Sequence, residues 1–390
     1  ISNIFLENAV VKLKKNDDGE LNFQFLLDAF KKEKKEEESN VRYEIKDVEL
    51  NNCSVSYDDF RKNHISDKFD VNHLDFQQLN LALELGTLSK NEIDLQLNSF
   101  SFVEQSGLKL SDLSFSFVAD KTTALLQNLS LRMPQTKFTI DSLRTDHSAV
   151  FAESTIRWDS LYADIYLSNS SVFLSDLSPV FPQLSSVDQQ VLITTHLSGN
   201  LSKISAPYFY LNVGDVVCLR SSIKVAGLPK KEKIFFDINL SECSTQSLLL
   251  QDLLSDILSR PVILPKQLDN LGKIMYKGDI SGSFSNVVLN GILSTQVGEL
   301  ALDANCLMND DFSKLNFNSY VETEGVDLGK LLNKENVFGK IALNLNLTGV
   351  YDKSKKGADA TLDGAISSFG LNGYEYNDIV INGEVSPSSF

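Results

Sequence analysis

The chain of 390 residues carries 52 Asp and Glu against 36 Lys and Arg, a formal charge of −16. That balance opposes a sequence-blind grip on nucleic acid and would repel an anionic membrane surface. An apolar fraction of 42% excludes general disorder, and 24 Phe with one Trp and eight Pro suits long strands.

Ile1–Lys15 reads as a strand or strand pair ending in the turn Asn16-Asp17-Asp18-Gly19. Leu21–Phe30 reads as a short amphipathic helix, and Lys31–Ser39, with no apolar residue, as a solvated tail or linker. From Val41 the text alternates with period two, as in Leu79–Leu85, Ile93–Leu97 and Leu113–Phe117. Turn-type residues recur between these runs, which predicts an antiparallel meander. Ser175–Ser185, with two prolines, interrupts it as a short helical or looped insertion. Ile234–Leu240 is another clean alternator, and Thr245–Ser259 has the leucine spacing of a helix that Pro261 ends. A shorter helix is expected around Asp327–Leu332. Asn290-Gly291, Asn372-Gly373 and Asn382-Gly383 read as turns.

Leu271–Phe284 aligns without gaps to Phe338–Tyr351, 67 residues on. In the second copy Ile341, Leu343, Leu345 and Leu347 alternate with Ala342, Asn344, Asn346 and Thr348, giving one apolar and one mainly polar face. The expected organisation is a strand–turn–helix start at 1–30, a charged linker at 31–40, and β segments at 41–205 and 206–390. The second segment holds the repeats at 271–284 and 338–351. The expected fold is mainly β: an elongated, lengthwise-curled antiparallel sheet forming a groove, with a few short helices. The chain starts at Ile1 without Met, which reads as an internal fragment cut from a longer protein.

Residues that would argue for an enzyme are missing from the text. His64, His73, His147 and His196 lack metal-ligand spacing, and Cys53, Cys218, Cys243 and Cys306 contain no C-x-x-C pair. The Asp-rich turn has Lys14 where a calcium loop would need its first ligand. Gly272-Lys273 and Gly339-Lys340 lack the remaining residues of a phosphate loop, and no G-x-S-x-G occurs. The reading is no enzyme and no cofactor.

The apolar face has two readings of comparable weight. One is the core of a β-sandwich. The other is a groove for acyl chains, with Ile341, Leu343, Leu345, Leu347, Ile234, Phe236, Ile238 and Leu240 facing inward. Each methylene kept from water is worth about 0.8 kcal/mol, so a sixteen-carbon chain faces a penalty of roughly 12 kcal/mol in water. A glycan-binding surface would need aromatic platforms, which the single Trp158 makes poor.

Leu6-Glu7-Asn8, Asp18-Gly19 and Leu21-Asn22-Phe23 resemble the early motif of AsmA-like proteins. Gly325–Leu332, Phe338-Gly339-Lys340-Ile341 and Leu347-Thr348-Gly349 resemble that superfamily's repeat. The order of elements across nearly the whole chain is similar to the middle of the TamB (translocation and assembly module) type, in the style of a Bacteroidota member. The resemblance implies a periplasmic protein, anchored in the inner membrane when complete, whose open β-taco moves phospholipid between inner and outer membranes. It also implies an outer-membrane barrel partner of TamA or BamA type, no nucleic acid, and no catalytic residues. The N-terminal anchor and the C-terminal region of such proteins are not in this text. The alternative reading is a non-lipid scaffold for outer-membrane protein assembly.

Overall fold

The computed structural model describes residues 3–24, 46–65, 68–89, 91–148, 158–258, 260–309, 311, 313–354 and 357–386. The protein is mainly β, with mostly antiparallel strands and few short helices. The expected linker at 31–40, and the helix expected at 21–30 beyond Gln24, lie outside the described residues. Two compact units divide the chain: Ile1–Arg157 with Ala163–Val191, and Trp158–Tyr162 with Leu192–Phe390.

In the first unit, β1 (Asn3–Glu7) and β2 (Val10–Lys15) both pair in parallel with β3 (Asp47–Asp59). A meander follows: β4 (His73–Leu88), β5 (Ile93–Glu104), β6 (Lys109–Leu110), β7 (Asp112–Ala119), β8 (Thr123–Arg132), β9 (Lys137–Asp146) and β10 (Tyr162–Phe173). The registers align Leu85, Leu95, Phe117, Leu126 and Leu143 across β4, β5, β7, β8 and β9. Period-two alternation therefore becomes a continuous apolar row, because directly paired residues share a face. The interruption at 175–185 is two 3-10 turns, Leu174–Leu177 and Pro182–Leu184.

A polar cluster stitches the loop between β3 and β4. Arg61 binds Asp59 through Nε and Nη2 at 2.8 and 2.7 Å, and Asp70 accepts the backbone N–H groups of Ile65 and Asn72 at 3.0 and 2.9 Å. His73, buried, sits with Nδ1 3.3 Å from Asp58 Oδ1 and Nε2 3.0 Å from the Lys62 carbonyl oxygen. Glu104 is buried with its carboxylate on the Ser106 backbone N–H at 2.8 Å. These carboxylates hold a loop in place; buried polar groups stay folded only when so partnered.

The second unit continues as β11 (Gln190–Asn200), β12 (Lys203–Val213), β13 (Val217–Ala226) and β14 (Phe235–Gln246), then helix α1 (Ser247–Leu258). After the 3-10 turn Lys266–Leu271 come β15 (Lys273–Gly282), β16 (Asn286–Thr295), β17 (Gly298–Met308) and β18 (Lys314–Asp327). Helix α2 (Leu328–Leu332) leads to β19 (Phe338–Asp352), β20 (Gly357–Leu371) and β21 (Tyr374–Val385). From β12 to β21 every successive pair is antiparallel.

Of the three Asn-Gly pairs, Asn372-Gly373 makes the turn between β20 and β21, where Asn372 has φ 50° and Gly373 φ 79°. The other two correct the sequence reading. Asn290-Gly291 lies inside β16 and Asn382-Gly383 inside β21. At Gly291 the glycine serves close packing: a Cβ there would stand 2.4 Å from the Lys277 carbonyl oxygen and 2.7 Å from the Tyr276 hydroxyl.

Candidate functional site

The feature that unites the predicted residues is one face of the second unit's sheet. Paired registers carry a single row across nine strands: Ser221, Leu240, Gly278, Gly291, Leu302, Val321, Leu345, Gly364, Ile381. A parallel row runs Ile223, Ile238, Ile280, Leu289, Ala304, Ser319, Leu347, Leu362. The third takes in Phe236, Gly282, Val287, Cys306, Phe317 and Gly349. Phe236, Ile238, Leu240, Leu345 and Leu347 thus stand on one surface although more than 100 residues separate the two groups. A bulge between Leu240 and Cys243 keeps both on that face.

One residue over, the opposite face reads Asn239, Asp279, Asn290, Asp303, Tyr320, Asn346, Asp363, Asn382. Asn239 Nδ2 donates to Asp279 Oδ1 at 2.7 Å, and Asn382 Nδ2 to Asp363 Oδ1 at 3.3 Å. The excess of acidic residues here lies on the solvated side of the sheet.

Burial on the apolar face is incomplete. Leu345 is 9% and Leu240 6% exposed, but Ile341, Leu343, Leu347, Phe236 and Ile238 remain half-buried. Among the described residues only fourteen apolar side chains are buried. A closed sandwich would bury most of its inward side chains, so the pattern favours a face that is partly open. Ile234, expected as the first groove residue of its strand, directly precedes β14 and is buried at 9%.

One end of the face is covered. There β14 and β15 meet at Gln246 and Lys273, β16 turns into β17, and β18 passes through α2 to β19. The helix α1 places Leu253 inward, and its first residue, Ser247, donates through Oγ to Asp269 Oδ1 at 2.7 Å. Asn270 Nδ2 donates to the Leu331 carbonyl oxygen at 2.8 Å, tying the 3-10 turn to α2. Asp327 caps α2 by accepting the Lys330 backbone N–H at 3.0 Å. Beneath this cover lies a cavity of about 270 Å³, and Ile341, Leu343, Leu345 and Leu347 all line it. Leu271, Leu328 and Leu331 line it from the covering turn and helix and leave it partly open, a role that single-strand alternation does not reveal. Their sequence signal is position: each lies just before a repeated strand or in the helix leading to one.

Among the described residues the three rows contain no Asp, Glu, His, Lys or Arg. The Cys243 and Cys306 thiols are pushed up by burial, as is the Tyr276 phenol, with Asp279 adding to the last. Among the described residues no three His, Cys, Asp or Glu side chains gather as metal ligands. No helix among them is long and apolar enough to cross a membrane.

No protein-family model matches the chain, and no curated protein does. Among solved structures, Pseudomonas aeruginosa OccK8 (OprE) is 10% identical, over 78% of this chain and 86% of that one, with a TM-score of 0.18. A likeness of that size carries no argument.

Proposed function

We propose that the apolar face of the second unit carries phospholipid acyl chains, without catalysis, as one segment of a bridge-like lipid-transfer protein. The observation that carries this reading is the continuity of the face. Eight inter-strand steps of about 4.8 Å make it roughly 38 Å wide, apolar in row after row, and most of its side chains are only partly buried. An apolar face of that extent that stays partly uncovered marks an interaction site. A second protein layer would have to fill it with side chains; acyl chains fill it at about 0.8 kcal/mol per buried methylene.

The sequence resemblance to AsmA-like proteins of TamB type supplies the setting: the periplasm, with the complete protein anchored in the inner membrane and delivering lipid toward the outer membrane. Native mass spectrometry of the purified chain tests the reading. Phospholipid retained at defined stoichiometry supports it, and a lipid-free chain that extracts no fluorescent phospholipid from vesicles sinks it.

A second reading has its own observation. Among the described residues β21 pairs with β20 and with no strand on its other side, leaving Tyr374 and Val380 72% and 80% exposed. Such an edge accepts an added strand, as a scaffold working with a TamA- or BamA-type barrel would require. A lipid-free chain whose barrel binding is lost on Val380→Pro would favour this scaffold.

A further inference from the structure

The cavity beneath α2 differs from the rest of the face in being partly covered by a helix and a turn, and its chemistry restricts what can enter. We propose that it is a seat for the methyl end of a single alkyl chain, with α2 and the turn Lys266–Leu271 as its cover. The proposal rests on the acyl-chain reading above and names where on the face a chain terminates.

Its floor is Val326, Leu343 and Leu345, and its roof Leu271, Leu328 and Leu331. The polar side chains on its wall, Thr295 and Thr323, are already engaged: Thr295 Oγ1 donates to the Gly298 carbonyl oxygen at 2.8 Å and Thr323 Oγ1 to that of Glu299 at 2.6 Å. The strands beneath, β16 to β19, are each paired on both sides, so they offer no edge for strand addition. A headgroup, a glycerol ester or a peptide backbone would therefore enter without hydrogen-bond partners, at a desolvation cost that nothing here offsets. A hydrocarbon terminus incurs no such cost. The volume of about 270 Å³ suits it, since an apolar cavity of about 150 Å³ stays dry and takes a benzene-sized ligand.

The cover is pinned closely. A Cβ at Gly329 would stand 2.3 Å from the Phe338 carbonyl oxygen, so α2 packs directly on the start of β19. The Lys334 N–H returns to the Gly329 carbonyl at 2.8 Å, and the Asn270–Leu331 hydrogen bond is the tie between α2 and the turn. Breaking that tie loosens the turn against α2 without touching the floor.

The test uses dodecanoate with a photoreactive diazirine at its methyl end, added to the purified chain, with labelled peptides mapped by mass spectrometry. Label concentrated on 326–331 and 343–345 is the expected result. Leu345→Trp, which fills the floor, should remove label from these peptides while circular dichroism keeps its β signature. Asn270→Ala should speed probe release about fivefold, the worth of one ordinary hydrogen bond. Label spread evenly from Phe236–Leu240 to Leu343–Leu345, or unchanged in Leu345→Trp, overturns the seat and leaves the lipid-carrying reading standing. An unlabelled inner face in the wild type overturns both. Label at the seat in a chain that retains and extracts no phospholipid supports the seat and defeats the transfer reading.

Discussion

Tyr276 lies across Gly291 on the adjacent strand, close enough that a Cβ on the glycine would be 2.7 Å from the phenol oxygen. The same arrangement recurs at Gly349, where a Cβ would be 2.8 Å from the ring of Phe317. In each case a ring fills the gap that a strand glycine leaves, and the apolar face stays continuous. The Tyr276 hydroxyl, however, has no hydrogen-bond partner among the described residues.

Two substitutions separate these effects. Tyr276→Phe removes a buried, unpartnered hydroxyl while keeping the ring, so it should be neutral or raise stability by up to about 1 kcal/mol. Gly291→Ala must displace the ring and the Lys277 backbone, and should cost about 1–3 kcal/mol. Urea denaturation curves of the two variants give both values.

Much of this arrangement was legible in the sequence because period two is a local code. Leu343, Leu345 and Leu347 share a face wherever the strand is placed, and α1 and α2 form where helices are expected, within Thr245–Ser259 and around Asp327–Leu332. Register between distant strands is not local. Nothing in the text places Leu240 in one row with Leu345, because five strand pairings and a bulge lie between them. Asn290-Gly291 misled for a related reason: the pair is turn chemistry in isolation, and only the neighbouring Tyr276 explains a glycine in mid-strand. The parallel pairing of β1 and β2 with β3 was equally hidden, since alternation is the same in either direction.

Charge should be tolerated on one face and not on the other. Val321→Lys and Leu302→Lys put an ammonium group into the central apolar row, whereas Asn346→Lys adds it one residue away on the solvated side. Phospholipid retention should be lost in the first two and kept in the third, with all three folded by circular dichroism. Equal retention in all three would contradict the assignment of faces.

Stability of the first unit should depend on pH through the loop between β3 and β4. The Arg61 guanidinium holds the Asp59 carboxyl well below the usual range, and the Ile65 and Asn72 N–H groups lower that of Asp70. Depressed carboxylates contribute stability that is present above their ordinary pKa of 3.8 and is lost as pH falls through the folded value. Burial of His73 opposes its charge, but Asp58 and the Lys62 carbonyl outweigh it and raise the pKa above 6.5. That contribution is present below 6.5 and is lost as pH rises through the folded value. Urea midpoints should therefore be highest between about pH 4 and 6.5, and His73→Gln should flatten the alkaline side alone.

Cys306 offers a native reporter of occupancy, since it lies in the row between Val287 and Phe317 with its thiol pushed up by burial. Maleimide modification at neutral pH should be slower there than for a free thiol. Stripping lipid with detergent and then removing the detergent should accelerate it. A rate indifferent to lipid would place Cys306 away from bound chains.

The most direct test of the lipid-bearing face is photo-crosslinking with benzoyl-phenylalanine placed singly at Leu345 and at its neighbour Asn344, in cells making the protein. Leu345 is 9% exposed in the central apolar row, while Asn344 is exposed on the opposite side, its Oδ1 accepting the Ala365 backbone N–H at 3.2 Å. Phospholipid adducts at Leu345 and none at Asn344 is the predicted result. Equal adducts at both positions, or adducts at Asn344 alone, would contradict it.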